Sequence, residues 1–235
     1  MWQALHEELE SQGVTVVTVA LDVNADDAKP WIEAAAPTHP ALIDKSHVTD
    51  QLFGFDNVPM AVWIDEAGTI VRPAEQAAIQ ESGALPDLPD EAPERLKRTF
   101  AELKLFRSNA TGYLAAIHDW AANGSASEFA LSESEVINRS GGRSREDAEA
   151  AACFELGQWH WERGEQEAAV PWWREAHRLQ PGNWTYKRQA WTFVTTQEGQ
   201  PPDLLQGPND VYEGNWLDDL IAQGGGATYY TPPEL

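Results

Sequence analysis

Thiol and imidazole chemistry is the first possibility to weigh, because the chain is so poor in the residues that perform it. It carries one cysteine, Cys153, and six histidines, at 6, 39, 47, 118, 160 and 177, against 38 acidic residues. A single thiol cannot cycle between dithiol and intramolecular disulfide. Cys153 falls in a helical stretch at a position expected to be buried, where a thiol is inert. No two histidines share ligand spacing on a helix with acidic or cysteine company, so neither a metal nor another cofactor is expected. Ser, His and Asp follow no nucleophile-elbow pattern, and Gly224-Gly225-Gly226 lacks the strand, helix and Lys of a phosphate loop. No catalytic residue is assigned. What remains is Val58-Pro59, directly before the apolar run Met60-Ala61-Val62-Trp63-Ile64. A proline cannot donate to a sheet ladder, so it must hold a special position there, of which a cis X-Pro bond is one.

The elements around that pair follow from local signals. Trp2, Leu5 and Leu9 recur at helical spacing, and Gly13 is a natural stop. Val14 to Leu21 is β-branched and nearly continuous, as expected for a strand covered on both faces. Helices are expected at 28–36 and 46–53, with a short extended segment at 41–43. A hairpin is expected at Ala61–Asp65 and Thr69–Arg72, closing a parallel sheet with crossover helices. Prolines 73, 86, 89 and 93 mark a linker at 76–92. From Pro93 the chain reads as helical, with Leu96, Phe100, Leu103 and Phe106 on one face and a second helix from Thr111 to Ala122. Residues 138–145 read as a flexible connection, Trp184–Thr196 as a helix, and 201–235, rich in Gly, Tyr and Pro, as an irregular tail.

The segment from Gly54 to Arg72 resembles the cis-Pro strand and following hairpin of thioredoxin-like proteins, especially the TlpA/ResA-type thiol-disulfide oxidoreductases. The stretch Met1–Gly13 is similar to the second half of the helix that follows their Cys-x-x-Cys. The resemblance implies that Val58 and Pro59 line a substrate groove and that the chemistry is thiol-disulfide exchange on protein disulfides or peroxides, with the redox motif missing from this chain. It further resembles a ResA-like subgroup in which selenocysteine stands in that motif; an in-frame UGA read as a stop would then place Met1 inside the helix. The flanking strands, Val14–Leu21 and Ala61–Asp65, are expected either to close up and pair or to leave a gap.

A second pattern lies downstream. Cys153, Leu156, Gly157, Ala169, Trp173, Ala176 and Pro181, with Gly164 at the turn, match the spacing of a tetratricopeptide repeat. A lone repeat cannot bury its apolar face and must stack on something. Trp161, Trp172 and Trp173 read as packing residues rather than a ligand cage. The expected architecture is an incomplete α/β thioredoxin-like part (1–75), a linker, an all-α helical-repeat domain (93–200) and the tail.

Composition narrows the partners. The net charge is −22, with three basic residues against sixteen acidic ones before position 91. No basic stripe suits nucleic acid. No apolar run approaches the length of a membrane helix and no signal-peptide pattern follows Met1, which taken alone predicts a cytoplasmic protein, although the proteins it resembles are often exported. Expected partners are protein substrates or partner proteins. The sequence supports two functions: an oxidoreductase scaffold, inactive as it stands, or a non-catalytic interaction module using the cis-Pro groove and the helical repeat.

Overall fold

The computed structural model describes residues 1–81, 83–192 and 211–235. In chain order the elements are α1 (Trp2–Leu9), β1 (Thr18–Ala20), α2 (Ala25–Ala35), β2 (Ala41–Ile43), α3 (Val48–Phe53), β3 (Met60–Ile64) and β4 (Ile70–Gln76). There follow α4 (Glu94–Leu103), α5 (Ala110–Asn123), α6 (Glu133–Ser140), α7 (Arg145–Glu162), α8 (Gln166–Leu179), α9 (Trp184–Thr192), α10 (Trp216–Ala222) and α11 (Gly226–Tyr229). The protein is mixed α/β. Local chemistry sets the boundaries: Gly13 turns the chain after α1 at φ 86°, and the Asn24 side chain caps α2 by accepting the Asp26 N–H at 3.2 Å. Ser132 and Glu135 cap the start of α6 reciprocally. The part of the expected Trp184 helix beyond Thr192, and residues 201–210 of the expected tail, lie outside the described residues.

The chain divides into two units that interleave: 1–80 with 109–148 and 233–235, and 81–108 with 149–232. The expected boundary at 75–93 therefore needs correcting. Helix α5 belongs with the N-terminal strands because Tyr113, Ala116 and Ile117 share one buried cluster with Leu5, Leu9, Trp63 and Val71. At its centre the Trp63 indole N–H donates to the Tyr113 hydroxyl at 2.9 Å, and the Trp120 ring stacks on Trp63 at 5.1 Å. Beside it lies Arg72, only 1% exposed. Its guanidinium donates to both Glu75 oxygens, to the Phe129 carbonyl at 3.1 Å and to the Glu234 carbonyl at 2.9 Å. Arg139 donates to that same Glu234 carbonyl at 2.8 Å.

The expected single sheet is in two pieces. β1 pairs in parallel with β2, Thr18 opposite Ala41, with α2 as the crossover. β3 pairs antiparallel with β4, Met60 opposite Gln76. The hairpin turn is held by the Asp65 carboxylate, which accepts the N–H groups of Ala67 and Thr69. The long strand expected over Val14–Leu21 shrinks to three residues, all half-buried, because among the described residues only one of its edges is paired.

In the second unit α7 and α8 form a helical hairpin about Gly164, at φ 77°. Trp173, Ala169 and Ala176 are fully buried with Cys153 and Phe154. A Cβ on Gly157 would stand 2.5 Å from the Trp173 indole, so this position must be glycine. Leu156, expected between the two helices, is only half-buried, and Trp172, expected as a packing residue, is 39% exposed. Residues 211–235 are not irregular throughout. Trp216, Leu217 and Leu220 of α10 pack with Trp184, Tyr229, Leu103 and Phe106, and Gly226 donates its N–H to the Glu102 carboxylate at 2.7 Å. The apolar spacing of a short helix was hidden in a Gly-, Tyr- and Pro-rich composition.

Two buried side chains make this unit testable. Trp173→Ala should cost about 3–5 kcal/mol through lost packing and the cavity left behind, measured by urea unfolding. His177, edge-on to Tyr212 at 5.3 Å, has its pKa lowered to about 4 by burial and by Lys187. Its contribution is complete above the ordinary histidine range and is lost as pH falls toward that value. Between pH 7 and 4 unfolding should become easier by on the order of 3 kcal/mol, a slope that His177→Gln should flatten.

Candidate functional site

The feature that could do something is the space between the two small sheets. In β1, the Thr18 N–H donates to the Pro40 carbonyl and the Ala20 carbonyl accepts from Asp44, so Thr18 and Ala20 face β2. The alternate residues Val17 and Val19 then turn their N–H and C=O to the opposite edge. In β3, the Pro59 carbonyl accepts from Ala77 and the Asp65 N–H donates to Thr69, so Met60 and Val62 point away from β4. Among the described residues, β1 pairs only with β2 and β3 only with β4. Val17, Val19 and Met60 line one cavity of about 610 Å³, within the usual ligand-pocket range of about 300–1,000 Å³. It is a slot flanked by two open strand edges.

Val58 and Pro59 are at its rim. Their peptide bond is cis, both residues line the slot, and Pro59 is exposed. The Asn57 side chain accepts the Val58 N–H at 2.9 Å. Asn57 is itself buried, so the chain is fixed just before the cis bond.

No family model, curated sequence or solved structure matches this chain.

Sequence reasoning missed what holds the slot open. On α1, the Gln3 amide donates to the Thr38 hydroxyl at 2.8 Å, and its oxygen accepts the Thr38 N–H at 2.8 Å. His39 Nδ1 lies 3.1 Å from that oxygen. A carboxamide oxygen only accepts, so Nδ1 carries the proton, leaving Nε2 to accept from the Thr18 hydroxyl 3.3 Å away. Burial, with the neighbouring His6 ring, keeps the His39 pKa below its ordinary value. Helix α1 thus joins β1 and the start of β2 through one polar face. Its other face, Leu5 and Leu9, packs against Trp63 of β3. Gln3 and His39 are 36 positions apart, and no local pattern links them.

The slot's mouth is apolar. Trp31 is 79% exposed, with Leu42, Val17 and Met1 also exposed, and all four line the cavity. Cys153 is buried in the second unit, and its thiol pKa is raised by burial and by Glu175 and Glu149. Among the described residues no cluster of three His, Cys, Asp or Glu could hold a metal, and no helix is long and apolar enough to cross a membrane.

Gln3→Ala should remove the tie between α1 and β2 and leave the Thr38 and His39 donors without their acceptor. A loss of about 1–3 kcal/mol in urea unfolding is expected; an unchanged midpoint would show that the strut lies elsewhere.

Proposed function

We propose that the first unit is the substrate-groove scaffold of a thioredoxin-like thiol-disulfide oxidoreductase of the TlpA/ResA type, and that its redox motif belongs to an extended segment occupying the slot. The observation that carries this reading is the slot itself, with Val58 and Pro59 in its lining and, among the described residues, an unpaired strand edge of β1 and of β3 beside it. A motif at the end of a strand seated there would lie beside Pro59, where an extended substrate chain can meet it. The chemistry is exchange. One thiolate, or the selenolate of the resembling subgroup, attacks a substrate disulfide and forms a mixed disulfide while the other substrate sulfur leaves as thiolate. The second group of the motif then displaces the substrate as a dithiol, and an external thiol re-reduces the motif. Cys153 does not serve as nucleophile, because burial and nearby carboxylates favour its protonated form.

A second reading, favoured by the exposed Trp31 and Leu42 at the slot and by Trp159 on the helical repeat, is a non-catalytic module that binds protein partners through the same groove and helices.

Insulin reduction separates the two. The 235-residue chain should stay at background, and Cys153→Ser should change nothing. A fusion placing an apolar strand ending in Cys-x-x-Cys ahead of Met1 should reduce insulin disulfides, and Pro59→Ala in that fusion should lower the rate. An inactive fusion that folds would favour the binding module, while clear activity in the unmodified chain would overturn both readings.

A further inference from the structure

The slot also says what kind of polypeptide fits it. An apolar small molecule could fill about 610 Å³ but would leave unpaired the two rows of backbone donors and acceptors along the free edges of β1 and β3. Only another extended backbone satisfies both rows, since its own N–H and C=O groups alternate to either side with the same spacing. The side chains of such a segment would meet Val16, Val19, Ile32 and Ala61, which are apolar, with Trp31 and Leu42 left to cover it at the mouth. Charge selects further. Residues 1–80 hold thirteen acidic and only three basic side chains. Arg72 is committed to Glu75, and Lys29 to Asp26 at 2.7 Å. The slot is a mostly apolar channel built from a stretch of chain whose net charge is −10.

We infer that the β1–β3 slot binds, in trans, a short apolar segment of another polypeptide as a strand added to both edges, and that basic residues flanking the segment select it. Backbone pairing supplies affinity in such strand addition, and the apolar lining and the surrounding field supply selectivity. This rests on the slot reading above and names the source of the occupying segment as a separate polypeptide, but it needs no thiol. Docking and redox chemistry therefore fail separately: a cysteine-free peptide reports on the first and the insulin assay on the second.

The test uses the full 235-residue chain and a fluorescein-labelled peptide, KKVTVAVKK, followed by anisotropy and amide hydrogen exchange. Saturable binding is expected, with slowed exchange at the Val17, Val19, Met60 and Val62 amides. The Glu-flanked peptide EEVTVAVEE should bind about tenfold more weakly or worse, and KKVPVPVKK, which lacks the alternate N–H groups, should not bind. Val17→Lys, at an exposed position on the slot, should weaken KKVTVAVKK while leaving the melting temperature near that of the parent. Failure of KKVTVAVKK to bind, equal binding of the proline or Glu-flanked peptide, or binding without protection of those four amides would each overturn the inference.

Discussion

Helix α1 sets the geometry of the first unit because its two faces answer to different partners. Leu5 and Leu9 are buried against Trp63, Tyr113 and Ile117, so one face is fixed to the β3–β4 hairpin by apolar contact. Gln3 reaches the other way, to Thr38 and His39, and fixes the β1–β2 pair by directional hydrogen bonds. Non-directional packing tolerates small slips; a side chain bonded to two neighbouring residues at 2.8–3.1 Å does not. The separation between the sheets is therefore a property of the helix that spans them, and the slot exists before anything enters it. Preorganisation of this kind lowers the ordering cost a partner must meet.

Around that strut, polar groups do much of the specifying. A guanidinium as buried as Arg72 would be strongly destabilising alone, and its position is tolerable because two carboxylate oxygens and two carbonyls share its donors. The second unit repeats the device with Lys187, whose ammonium meets Asp219 at 3.0 Å and lies over the Trp184 ring at 4.5 Å. Each buried cation selects one arrangement of several chain segments, where apolar contact alone would accept many.

What could be read from the sequence was local or strictly spaced. Pro59 before an apolar run, and Asp65 with Gly68 between two such runs, constrain their own backbone, and both sit where the pattern put them. The Gly157 and Trp173 pairing was visible because a small residue opposite a large one at repeat spacing has few other uses. The rest depended on contacts between distant positions. Glu75 is the one local acceptor of Arg72, and an Arg–Glu pair three apart is as common on a surface; the acceptors that account for its burial are at 129 and 234. Val14–Leu21 was read as a doubly covered strand because an apolar run reports a capacity for burial; whether a neighbour is there to provide it is not written in the run.

The carbonyl of Glu234 accepts from both Arg72 and Arg139. The last residues of the chain are thus wired into a strand and a helix laid down far earlier. The second unit is consequently no appendage that could be trimmed from one end. It is made of two excursions, 81–108 and 149–232, each leaving the first unit and returning to it. A cut after 148 would discard the acceptor that two arginines of the first unit share, so a protease that frees the N-terminal sheets also strips a partner from their one buried guanidinium. Half-molecules of this protein are, in that sense, not modular goods.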